Sequence, residues 1–310
     1  MTLPSDQAEA VRTLVESADP GAVWAVGGPE GPHHGSDAAQ GPPAPPDGAT
    51  PAPPDGAAPA PADGVTPAPA DRAAPAPDAR ATPVPAAALD VGGLSAVLAL
   101  WPAVGALVDE GTLSLHTPLT AYGEAAAAGT PAGTTAHHLL THPGGTAALT
   151  RLVEHLAESP LADLAAVRVW HPLGMTGTGF VAGTLRAPLT DLVRFLRSLL
   201  HPADGPTAAP RPFTDAWTAQ SLRIRTGELT PARGLLWQPA PHGAWTHHGP
   251  EEPGPALWVS PRHRRWAVLL PTGTSGGAPL RSAFREAVFA PAAPAPGGGS
   301  GPRAGAVPRG

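Results

Sequence analysis

From Pro43 to Ala88 the chain repeats an eight-residue unit from which no packed core can be built. The copies read PAPPDGAT, PAPPDGAA, PAPADGVT, PAPADRAA, PAPDARAT and a decayed PVPAAA. Proline locks φ and removes a backbone donor, so two or three prolines in each copy bar helix and sheet interiors. The unit has no aromatic or large aliphatic side chain to offset the entropy of ordering, about 1–2 kcal/mol per residue. Extended polyproline II segments, loosened by Asp-Gly, are expected. The period is too short and too polar for a solenoid. A PxxP tract can dock on SH3-type or WW-type domains. No basic residue accompanies the early copies, however, so a spacer is the better reading.

The repeat divides what remains. Residues 1–36 are read as an N-terminal helix and first strand, 37–88 as a disordered insert, 89–290 as the main domain, and 291–310 as a disordered tail. The chain has 44 Pro and 37 Gly, with proline densest in the two low-complexity tracts, and alanine inflates the 42% hydrophobic fraction. About one medium domain is left, large enough for a real core.

Several chemistries are excluded by residue type. The chain has no Cys, no Lys and no Asn, and one Tyr. Disulfides, thiolate metal sites and cysteine nucleophiles are therefore absent. A net charge of −6 with scattered arginine gives no basis for nucleic-acid binding. The one tight basic cluster, Arg262-His263-Arg264-Arg265, lies between apolar runs and reads as a turn. The N-terminal segment carries acids early and lacks a continuous apolar stretch, so no signal peptide is read there. No run reaches the length of a membrane span. A soluble cytoplasmic protein is the expectation.

Periodicity places the elements. Ala8–Ser17 has helical spacing, with Val11, Leu14 and Val15 on one face. Ala22–Val26 reads as a short strand, whereas Pro32–Gly41, where its partner should lie, is a poor strand. Val97–Glu110 is helical, with Pro102 near its first turn or at a kink. Further helices are expected over Thr134–Thr141, Leu149–Glu158, Leu161–Trp170 and Thr190–Leu200, the last capped by Thr190. Gly234–Gln238, Ala256–Ser260 and Arg265–Pro271 read as antiparallel strands and Leu280–Phe289 as a closing helix. Strands toward the ends around a helical block imply an α+β domain.

Three segments carry a resemblance. Leu89–Gly145 reads LDVGGLSAVLALWPAVGALVDEGTLSLHTPLTAYGEAAAAGTPAGTTAHHLLTHPGG, His171–Phe180 reads HPLGMTGTGF, and Trp245–Gly273 forms an apolar, strand-like block. In content and order the chain resembles the β-lactamase and penicillin-binding-protein-like serine hydrolases, in particular class C β-lactamase-related members. The resemblance implies a β-lactamase/transpeptidase-like α+β fold: an antiparallel sheet flanked by helices, with a reduced helical subdomain.

That family uses a Ser-x-x-Lys turn, in which the amine lies one helical turn from the hydroxyl it helps to deprotonate. Here Gly93 stands at the serine position and Ala96 at the lysine position. Ser95 falls two residues after the nucleophile position, where it reads as a displaced nucleophile or as a helix-N-terminal serine bonding backbone donors. A second family motif, Tyr-x-Asn or Ser-x-Asn, has no counterpart in a chain without asparagine. The stretch that would carry it is missing where Thr141-His142-Pro143-Gly144-Gly145 runs into the next helix. Tyr122 matches a structural tyrosine. The third motif, Lys-Thr-Gly or His-Thr-Gly, survives in part as His247-His248-Gly249, followed by Pro250. These three residues are the pocket candidates.

Other constellations are weaker. His138 and His142 have helical ligand spacing, but no glutamate lies between them as a zincin requires. No metal or cofactor is implied. Glu251-Glu252 reads as a surface loop, and Asp109-Glu110 as an ordinary turn before Gly111. Three functions compete: a catalytically silent hydrolase homologue with a ligand- or partner-binding role, an active esterase or amidase using Ser95 with His247, and a drifting gene product. The ligand class implied is a small ester, amide or peptide, with no nucleic acid and no membrane.

Overall fold

The computed structural model describes residues 5–28, 31–35, 88–200, 211–227, 231–249, 254–272 and 277–291. The repeat from Pro43 to Ala87, the acidic pair Glu251-Glu252 and nearly all of the expected tail lie outside the described residues.

An amphipathic helix, α1 (Ser5–Ala18), leads into strand β1 (Val23–Gly28) and its hairpin partner β2 (Gly31–Gly35). After the repeat come β3 (Leu89–Asp90), a 3₁₀ turn at Gly92–Leu94 and a π-helical turn at Ala96–Leu100 that runs straight into α2 (Trp101–Asp109). A helical block follows: α3 (Glu124–Ala127), α4 (Ala136–Thr141), α5 (Thr146–Ala157) and α6 (Leu161–Ala165), which continues as a π-helical turn to Trp170. Next are β4 (Gly179–Val181), β5 (Thr184–Ala187), α7 (Leu189–Ser198) and α8 (Asp215–Ser221). The chain closes with β6 (Gln238–Ala240), β7 (Ala244–His248), β8 (Ala256–Ser260), β9 (Arg265–Leu270) and α9 (Gly277–Phe289).

The main sheet has the order β2-β1-β9-β8-β7-β6, and every neighbouring pair is antiparallel. A second small sheet has the order β3-β5-β4. The main sheet is covered on both faces, so its central strands are apolar at nearly every position. Trp24, Val26, Trp258, Ala267 and Leu269 pack against Val11 and Val15 of α1 and Phe284 and Val288 of α9. The alternate residues Val23, Ala25, Leu257, Val259 and Val268 face the helical block. The period of two along a strand sends neighbours to opposite faces, and here each face has its own core. Trp24 and Trp258 flank Phe284, with centroids at 6.2 and 5.6 Å.

Four expectations are corrected. β2 forms where side-chain character argued against a strand: Val26 pairs with His33 and Trp24 with Gly35. The ladder is made by the backbone, and Pro32 is tolerated because β2 is an edge strand. Gly234–Leu236 is not strand. Its N–H groups bond Trp237 O, Ser221 O and Leu140 O instead, and Leu236 has φ of 63°. Thr190 is not the cap of α7, which begins at Leu189 after Pro188 with no side-chain cap. Ser95 makes no capping bond either. The small β3-β5-β4 sheet and helix α8 have no counterpart among the sequence expectations.

Asp191 shows how the helical block is tied together. Its buried carboxylate accepts from Gly177 N–H at 2.9 Å, from Thr178 Oγ1 at 2.9 Å and from Arg194 at 2.8 Å. Asp191→Ala leaves two of these donors facing a dry site. A loss of about 2 kcal/mol is expected, read from urea melts. Asp191→Asn, which keeps an acceptor oxygen, should lose less.

Candidate functional site

The front of α2 builds one wall of a cleft of about 1060 Å³. β3 pairs with β5, Asp90 Oδ1 accepts from Gly92 N–H at 3.0 Å, and the 3₁₀ turn then carries Gly93 to the cleft. Leu94 and Val97–Leu100 turn inward and are buried, so Gly93, Ser95 and Ala96 are left facing the opening. The π-helical turn at Ala96–Leu100 departs from regular α geometry directly behind them, as such turns often do at functional sites.

The opposite wall is strand β7 and the residues before β6. His247, His248 and Gly249 line it together with Arg233, Leu236 and Gln238. The third side is the link His142–Gly145 between α4 and α5, continued by the α5 face. Thr146, Thr150 and Glu154 follow one another at intervals of four along that face, so all three reach the cleft. Leu140, Leu161 and Phe180 supply apolar surface.

Gly93, Ser95, Ala96, His247, His248 and Gly249 therefore all line one cleft, although about 150 residues separate the two groups. A Cβ at Gly93 would lie 3.0 Å from Gly249 Cα, and a Cβ at Gly249 would lie 2.8 Å from Gly93 Cα. The two glycines touch backbone to backbone, so a side chain at either one requires the other segment to shift. Ala96 presents a methyl to the cleft. Among the described residues the Ser95 hydroxyl has no hydrogen bond to any base, or to any other group.

His247 is held in place by a backbone carbonyl. Its Nδ1–H donates to Leu236 O at 2.7 Å, which fixes the tautomer. Burial lowers its pKa to about 4, outweighing the carbonyls of Leu236 and Gly93, which favour the protonated ring. The neutral ring sits edge-on to Trp237, with centroids 6.4 Å apart. His248 turns Nδ1 to the carbonyl of Gly249 at 2.9 Å. Tyr122 lies away from the cleft, its hydroxyl accepting from Ser114 N–H at 2.8 Å.

The histidines of α4 pack as rings rather than as ligands. His138 and His142 are edge to face at 6.0 Å, and His116 stacks on His137 at 4.9 Å. Among the described residues no group of three or more His, Asp or Glu is placed to hold a metal ion. No helix among them is long and apolar enough to cross a membrane.

Sequence reading missed Arg233 and the α5 face. Thr146, Thr150 and Glu154 are visible as an i, i+4, i+8 series, but a polar helix stripe is normally a solvated one. Arg233 had no signal, because it is delivered by an irregular segment.

No family model matches the sequence, and no curated protein matches it. Solved structures do. A β-lactamase (Mb2281c) from Mycobacterium bovis superposes with a TM-score of 0.58 at 17% identity, covering 90% of this chain and 99% of that one. A class C β-lactamase from Rhodobacter sphaeroides gives 0.58 at 14% identity, with coverages of 90% and 98%. The protein SurE, solved with D-Leu, gives 0.60 at 17% identity, with coverages of 95% and 79%. In its antiparallel sheet, its two flanking helical layers and the order of its elements, the chain has the fold of the β-lactamases and penicillin-binding-protein homologues.

Proposed function

We propose that this protein is a catalytically silent relative of the β-lactamase-like serine hydrolases, retained as a small-molecule-binding protein of the cytoplasm. One observation carries the reading: Gly93 and Gly249 are in backbone contact at the place where an acylated serine would have to stand. The rest agrees with it. Ala96 replaces the amine, and the chain contains no lysine to substitute from elsewhere. In a comparable serine enzyme, loss of the nucleophile alone lowers turnover by about a million-fold. The open cleft behind these residues supports binding as the remaining role. SurE is solved with D-Leu, and a small amide or peptide-like ligand of that size would fit here.

The test is covalent labelling of the purified full chain with a fluorophosphonate and with a fluorescent penicillin. No stoichiometric adduct is expected by intact-mass spectrometry. An adduct that disappears in Ser95→Ala would transfer the reading to an active esterase or amidase. The double variant Gly93→Ser/Ala96→Lys restores both residue types without restoring the space. Its hydrolysis of nitrocefin is expected to stay at the buffer rate, and a saturable rate above buffer would contradict the closed-site argument.

A further inference from the structure

We propose that the cleft captures an amphipathic monocarboxylate, its head on the Arg233 guanidinium and its apolar body along Leu140, Leu161, Phe180 and Leu236. The inference rests on the binding role given above and names the ligand chemistry of that cleft.

Arg233 is half-buried and lines the cleft. Its backbone is held on both sides: its N–H donates to Thr226 Oγ1 at 3.0 Å, and its carbonyl accepts from Arg225 N–H at 2.7 Å. Its guanidinium has no acceptor among the described residues. Three arginines of the fold do reach a carboxylate: Arg168 to Glu110, Arg194 to Asp191 at 2.8 Å and Arg211 to Asp215 at 2.6 Å. A half-buried cation facing an apolar cleft is costly when unmatched, and a ligand anion that supplies the match gains the difference.

The Arg233 charge acts on the His247 ring, which places it on the β7 side of the cleft.

The head is a single carboxylate because one planar guanidinium fork pairs with one carboxylate's two oxygens, and no lysine is present to take further charge. Glu154 is the acid that lines the cleft, and its Oε1 is occupied by Leu161 N–H at 2.9 Å. A second anionic group along the α5 face would meet it. Hence the body is apolar.

The experiment is isothermal titration of the full chain at pH 7 with sodium octanoate, 1-octanol and octylamine, three probes of one length that differ in the head group. Octanoate should bind at least about tenfold tighter than octanol, and octylamine should bind more weakly than either. Arg233→Gln should weaken octanoate about tenfold or more and leave octanol within about twofold. Arg223→Gln, exposed and outside the cleft, should change neither. Equal affinity of the wild type for octanoate and octanol overturns the proposal, as does a folded Arg233→Gln protein that keeps its octanoate affinity. Should that variant not fold, as judged by circular dichroism, the head-group preference of the wild type decides alone. Labelling of the same preparation by fluorophosphonate reports separately on the silent-site reading, because octanoate binding needs no acylation.

Discussion

Acidification from pH 7 to pH 4 should remove about 3 kcal/mol of folding stability through His247 alone. The sign follows from the direction of the shift. In the unfolded chain this ring takes a proton near its ordinary value of 6.5, whereas in the folded protein burial holds it neutral down to about 4. Between these values the unfolded state binds the extra proton, so stability falls with pH through that window and levels off below it. His137 is also lowered, by burial first and by its cationic neighbours second, and adds in the same direction. Urea melts at half-unit steps measure the slope. His247→Gln should flatten it by close to one proton. An unchanged slope in that variant would show that the ring is accessible to solvent protons when folded.

The second large effect is expected at Gly105. In an ordinary helix interior, Gly→Ala stabilises by about 0.5–1 kcal/mol. Here a Cβ would lie 2.5 Å from both Cδ1 and Nε1 of Trp217 and 2.9 Å from Cε2. Trp217 cannot yield, since it is buried and packed at 5.9 Å on Trp101, which in turn touches Phe213 and Trp237. Overpacking of this kind costs about 1–3 kcal/mol, and the three-atom overlap places Gly105→Ala at the upper end. A net loss of about 2 kcal/mol remains after the helix gain is subtracted. Thermal denaturation reads it directly, and a rise in Tm would refute the packing argument. Trp217→Phe in the same background should recover part of the loss.

What could be read from sequence was read where one physical signal dominated. The apolar runs at Ala256–Ser260 and Arg265–Leu270 had to be central strands, and the helical spacing of α1, α5 and α9 had a partner face waiting for it. The reading failed where backbone geometry decided. β2 owes its existence to the free edge of β1, and Leu236 is drawn out of a strand by its bond to Leu140. The cleft was legible through Gly93, Ala96 and His247, because each stands at a place where a chemically distinct residue is expected. Arg233 was not, since an arginine in an irregular segment looks like any solvated charge until the fold delivers it to a wall.

The abutting glycines give the chain a direction in sequence space. A side chain added on the helix side alone meets main chain that has to shift, so its first effect is a cost. If the cleft is silent as we propose, a route to chemistry would first loosen the end of β7, at a moment when nothing yet rewards the loosening. On the binding role we propose, the order of steps, more than their number, is what would keep the cleft silent.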